Sequence, residues 1–143
     1  MGKINVTRRE FQQSFRNHYA LYKKSEVSVS PKTRRLLLFY SVECGLKSLI
    51  LKDIGKNTYE ELYKYSEENG KHVHGHNLKE MTREVGIEHK YPLKKIRLAA
   101  GQDIMSEHFN ELWRYGASVA DEEEELKAEK MLQKIAEYIG QRL

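Results

Sequence analysis

The chain has 143 residues, of which 39% are apolar and 32% charged, and its net charge is +4. That length fits one domain, residues 1–143, able to bury roughly two-thirds of its unfolded surface. Cys44 is the only cysteine, which excludes an intramolecular disulfide framework; the N-terminal MGKINVTRRE has no apolar stretch of a signal peptide, so a cytoplasmic location is expected.

Few prolines and glycines, abundant Leu, Lys, Glu and Arg, and apolar residues recurring at helical spacing predict an all-α fold. No segment of useful length alternates with a two-residue period. The first helix is predicted from Thr7, which has capping-box spacing to Glu10, and Phe11, Phe15, Tyr19 and Tyr22 form one aromatic stripe along it. Arg8, Arg9, Arg16, Asn17, Lys23 and Lys24 lie on the other face. Aromatics interleaved with cations suit a stacking platform for single-stranded nucleic acid, but a stripe at regular helical spacing suits a core better. Arg8, Arg9, Arg16, Lys23 and Lys24 stand as candidate nucleic-acid contacts. Residues 25–29 (SEVSV) read as a short polar linker.

The central helix, about residues 31–54, opens with Ser30 as N-cap and Pro31 at the first helical position, and stops at Gly55. Its apolar residues, from Leu36 to Ile54, cover almost every side, so burial on nearly all sides is expected. Arg34, Arg35, Lys52 and Asp53 sit at its ends, its apolar runs are short, and Glu43 and Lys47 interrupt the middle, so a core helix rather than a membrane span is expected. Cys44 reads as a small core residue rather than a nucleophile.

A third helix is predicted from Thr58, again with capping-box spacing to Glu61, with Tyr59, Leu62, Tyr63 and Ser66 inward and Asn69-Gly70 as the stop. The loop KHVHGHN follows, with His72, His74 and His76 at alternating positions. An extended strand would turn all three to one side as candidate metal ligands, but no carboxylate or cysteine accompanies them at ligand spacing. The expectation is a polar loop with one structural histidine, no metal and no cofactor. A short helix spans about 77–85, stopped by Gly86. Pro92 is predicted to start another, with Leu93, Ile96, Ala99 and Ala100 on one side; Gly101 breaks it before Ile104, Met105, Phe109, Leu112 and Trp113 resume the pattern. The last helix is predicted from Ser118 as N-cap, which puts the acidic run Asp121–Glu125 in its first turns, where the helix dipole favours negative charge. Five or six helices with short connections make a bundle around the central one.

Charge is unevenly spread. Residues 1–25 carry six basic residues against one acidic, and residues 98–143 five basic against ten acidic. A nucleic-acid surface at the basic end and pairing of the two ends within a dimer or with a partner protein are both open.

Three motifs line up in order: Glu43 and Lys47 in VECGLK, His76-Asn77-Leu78, and Arg114-Tyr115 ahead of the last helix. Over about residues 7–140 the chain resembles the HEPN domain (higher eukaryotes and prokaryotes nucleotide-binding), a family of compact helical bundles with a Glu-x-x-Leu-Lys type core helix, a His-Asp-Leu segment and an Arg-Tyr motif. Here the second motif reads His-Asn-Leu. HEPN ribonucleases pair an Arg with a His four to six residues further on, across a dimer interface, as a metal-independent RNA-cleaving site. Arg83 and His89 (REVGIEH) have that spacing but begin on the short helix and end beyond Gly86, away from the final helices. Arg16-Asn17-His18 has the residue types without the spacing. The resemblance therefore implies the fold without carrying the nuclease activity.

Glu43 and Lys47, four residues apart, are oriented to pair along the helix. Buried charges require partners, and His76, Arg114 and Tyr115 are the candidates for a polar network. The alternative is that these five residues line a cleft for a nucleotide or phosphate, to which Arg114 and Tyr115 would bring a guanidinium and a phenol. The resemblance implies a non-catalytic nucleotide-, RNA- or protein-binding module with no membrane attachment. It would be a homodimer and an accessory of a partner such as a nucleotidyltransferase or antitoxin, in a bacterial defence or toxin–antitoxin type system. The alternative is a HEPN endoribonuclease in which His89 moves the 2′-hydroxyl proton and Arg83 steadies the phosphorane-like charge.

Overall fold

Side-chain caps set the first four helix starts in the computed structural model, which describes residues 4–25 and 28–143. Thr7 and Glu10 complete a reciprocal capping box at the head of α1 (Arg8–Lys24). Ser30 caps α2 (Pro31–Asp53), with Pro31 in the first turn. Thr58 caps α3 (Tyr59–Glu68), and Asn77 caps α4 (Leu78–Val85). Gly55, Gly70 and Gly86 follow α2, α3 and α4 at φ values of +68°, +61° and +87°, the left-handed region in which a Cβ is penalised. The linker expected over 25–29 begins with Ser25, the buried C-cap of α1; residues 26 and 27 lie outside the described residues.

The starts of α1 and α3 are joined back to back. Thr7 and Thr58 form an isolated antiparallel bridge. Around it, the Arg8 amide donates to the Asn57 carbonyl and the Tyr59 amide to the Val6 carbonyl, both at 2.7 Å.

Residues 92–105 differ from the helix expected there. Strands β1 (Ile96–Arg97) and β2 (Asp103–Ile104) pair antiparallel, Ile96 opposite Ile104. The turn between them is closed by the Leu98 amide on the Gln102 carbonyl at 2.8 Å, with Gly101 at φ +103°. Ile96 is fully buried and Arg97 exposed, the alternation of a half-buried strand. The other edge of this hairpin takes up residues 118–120: the Ala99 amide donates to the Ser118 carbonyl and the Ala120 amide to the Arg97 carbonyl. That pairing explains a second difference. Ser118 is not the N-cap of the last helix; Asp121 is, its Oδ1 accepting from the Glu123 amide, and α6 runs Glu122–Gly140. Between them, a 3-10 turn (Ser106–His108) leads into α5 (Phe109–Tyr115), which Gly116 ends at φ +68°. The architecture is thus mostly helical, six α-helices and one small hairpin among the described residues.

Helix α2 occupies the centre and packs against α1, α4, α5 and α6. Leu38, Phe39, Val42, Leu46 and Leu51 are fully buried, and so is Leu62 of α3. Tyr63, expected to face inward, is 45% exposed, and Ser66 is the buried residue of the following turn. At Gly45 the three longest helices are in tight contact: an added Cβ would stand 2.8 Å from Ile139 Cγ2 and 2.9 Å from Phe15 Cδ1.

Candidate functional site: the buried charges of the central helix

The middle of α2 holds a carboxylate with two basic partners. Lys47 Nζ lies 3.0 Å from Glu43 Oε2, one turn along the helix, and His76 Nδ1 lies 2.6 Å from Glu43 Oε1. The loop ahead of α4 supplies that imidazole: Val73 is buried and anchors the loop, and Asn77 caps α4 directly after His76. Burial by itself would raise the Glu43 carboxyl, but the His76 hydrogen bond and the Lys47 ammonium outweigh it and hold the group below its ordinary value. An ionised carboxylate only accepts, so Nδ1 carries the proton that His76 donates. Glu43 and Lys47 are 7% and 5% exposed, whereas the His76 side chain is 47% exposed. The buried pair therefore reaches the surface as one oriented imidazole.

A second network joins the start of α2 to the start of α6. Arg35 holds Glu125 at 2.9 Å through Nη1 and Glu129 at 2.8 Å through Nε. Lys32 Nζ reaches Glu125 Oε2 at 3.0 Å, and Trp113 Nε1 donates to the same oxygen at 2.8 Å. The Tyr22 hydroxyl donates to Glu129, and Gln133 donates to that hydroxyl at 2.6 Å. Burial and the Glu129 carboxylate push the Tyr22 phenol up to about 12. Sequence reasoning assigned the acidic run to the helix dipole alone and missed this network. The signal was present as two matching spacings: Lys32 and Arg35 share one face of α2, as Glu125 and Glu129 share one face of α6.

The remaining candidates are dispersed. Arg114 does not reach Glu43; its Nη2 donates to the Tyr40 hydroxyl at 2.5 Å, and Tyr115 is 72% exposed. Both border a shallow depression at the start of α2 with Lys32 and Arg35. Arg83 and His89 are exposed and border one depression beside Gly86. Arg83 is occupied by Glu80 (Nη1, 3.1 Å) and Glu88 (Nε, 3.0 Å). His18 is bound to its own helix, Nδ1 2.8 Å from the Ser14 carbonyl oxygen. Phe11, Phe15 and Tyr22 are buried, whereas Tyr19 is half-buried with Lys23 Nζ 4.7 Å from its ring centroid; Arg9, Arg16, Lys23 and Lys24 are exposed on α1, and Arg8 is half-buried. His72 is exposed and His74 packs edge-on against Tyr63, ring centroids 4.9 Å apart. Among the described residues no group of three or more His, Cys, Asp or Glu side chains could hold a metal ion, and no helix is long and apolar enough to cross a membrane.

These features define a helical-bundle protein whose central helix carries buried, internally paired charges. Comparison with family models, curated proteins and solved structures finds no match to the chain.

Proposed function

We propose that this chain is a non-catalytic HEPN-like binding module, an accessory that acts through a nucleotide, RNA or protein partner in a bacterial defence or toxin–antitoxin type system. The occupation of Arg83 carries this reading. Its guanidinium is held by Glu80 at 3.1 Å and Glu88 at 3.0 Å, and both carboxylates compensate the charge that RNA cleavage would need at a phosphate. A donor already facing two carboxylates is poorly arranged to stabilise developing negative charge. Three other residues of the resemblance are also bound within the protein, Lys47 and His76 by Glu43 and Arg114 by Tyr40, while Tyr115 is exposed.

The test is incubation of end-labelled RNA with the protein in EDTA, beside Arg83→Ala and His89→Ala variants. Intact RNA in all three supports the binding module. Metal-independent cleavage that disappears in either variant replaces it with the endoribonuclease.

A further inference from the structure

The segment leading into β1 and the middle of α6 form the two walls of a groove, with lysines on both. Lys94 and Lys95 stand on the first wall, and Lys127, Lys130 and Lys134 on the second. All five are exposed. Lys95 is paired with Asp103 at 3.1 Å. Lys94, Lys127, Lys130 and Lys134 make no ion pair among the described residues, unlike Lys32, Arg35 and Arg83. Glu124, the carboxylate bordering this groove, accepts from the Arg97 amide. Lys127 and Lys134 are two turns of α6 apart, about 10 Å. Four ammonium groups without an ion-pair partner outnumber the one Glu124 carboxylate around this groove, and an anionic occupant relieves their mutual repulsion.

The groove is also lined by apolar side chains. Pro92, Ala128 and Met131 share the lining with the lysines, Pro92 exposed, Met131 half-buried and Ala128 buried. We propose that this groove docks an acidic amphipathic helix of a partner protein. Carboxylates on such a helix meet the lysines, and its apolar face covers Met131, whose unbranched thioether adapts to different side chains. A nucleic-acid backbone would satisfy the lysines but leave the apolar lining uncovered. Among the described residues the lining holds no arginine, aromatic ring or amide side chain that would stack on bases or read their edges. The inference rests on the groove alone and is independent of the HEPN reading.

Fluorescence anisotropy tests it with three labelled probes. The first is a helical peptide of about four turns with Glu on one face and Leu on the other. The second is a scrambled peptide of the same composition, and the third an oligouridylate of similar length. The amphipathic peptide is expected to bind more tightly than the scrambled one, although their charges are equal. Lys130→Glu with Lys134→Glu weakens it by about tenfold or more while circular dichroism stays unchanged. Met131→Ser weakens the amphipathic peptide without changing the scrambled one. Equal binding of both peptides, indifference to the charge reversals, or an oligouridylate whose binding is lost in the same variants overturns the proposal. So does sedimentation of the chain as a self-associated species that the charge reversals disperse.

Discussion

Arg35 of α2 binds Glu129 of α6, Nε to Oε1 at 2.8 Å, while its Nη1 holds Glu125 at 2.9 Å. One planar guanidinium thus bridges two carboxylates a helical turn apart, a geometry that the point charge of a lysine cannot reproduce. The side chains of Glu125 and Glu129 are only 4% and 10% exposed, so their charges depend on protein partners rather than on water.

Removing that guanidinium should be costly. Arg35→Ala leaves two buried carboxylates short of a partner, and is expected to lower stability by about 3 kcal/mol in urea denaturation. Lys32, Trp113 and Tyr22 remain in contact with the carboxylates, which keeps the loss from being larger. Arg35→Lys should recover only part of it. A change below about 1 kcal/mol would show that the network contributes no more than a surface ion pair.

Glu43 predicts an acid-sensitive fold. Its folded-state carboxyl titrates below the ordinary value, so its contribution is fully present above the unfolded value, roughly pH 4.3. It is lost as pH falls further, through the folded value. Glu43→Gln should flatten the fall in stability below that pH. In His76→Ala the carboxyl loses the partner that most lowers it while staying buried, and carboxyl-carbon NMR should show its titration moving upward. An unmoved titration would remove His76 from the account.

Gly45→Ala tests the close approach of three helices. An alanine gains helix propensity of up to about 1 kcal/mol over glycine. Here its methyl would meet the branched Cγ2 of Ile139 and the ring edge of Phe15, neither of which can swing away freely. The expected net result is a destabilisation of about 1–2 kcal/mol, read as a lower midpoint in chemical denaturation. An increase in stability would mean that α1 and α6 separate at little cost.

Gly101 sits at φ +103° in the turn between β1 and β2, a conformation that L side chains rarely adopt. Gly101→Ala should cost about 1–3 kcal/mol. The effect should be local: hydrogen exchange at Leu98, whose amide closes the turn onto Gln102, and at Ala99, whose amide holds the hairpin to Ser118, should accelerate, while Leu46 in the middle of α2 stays protected. Equal acceleration at both places would make the hairpin part of the global folding unit.

The helical half of this architecture could be read from the sequence because its signals are local. Thr7 with Glu10, Ser30 with Pro31, and Thr58 with Glu61 fall within single helical turns, and each marks a helix start in the structure. The hairpin was not legible. Leu93, Ile96 and Ala99-Ala100 happen to fit helical spacing, and strands of two residues are too short to show alternation. Its own pairs, Ile96 with Ile104 and Arg97 with Asp103, are only two, and the contacts that hold its other edge, Leu98 with Val119 and Arg97 with Ala120, join backbone groups more distant in sequence. The same distance hid the site. Glu43 and Lys47 announced a buried pair, and His76 was a candidate partner, but nothing local tied Arg35 to Glu125 and Glu129, or aligned the lysines of α6 with Lys94.

The bridge between Thr7 and Thr58 couples the two ends of what would otherwise be separate events. With the Arg8 amide on Asn57 and the Tyr59 amide on Val6, the first turns of α1 and α3 brace each other and cannot fray independently. Trimming the chain to begin at Thr7 would remove the Val6 carbonyl and loosen a helix that starts more than fifty residues downstream.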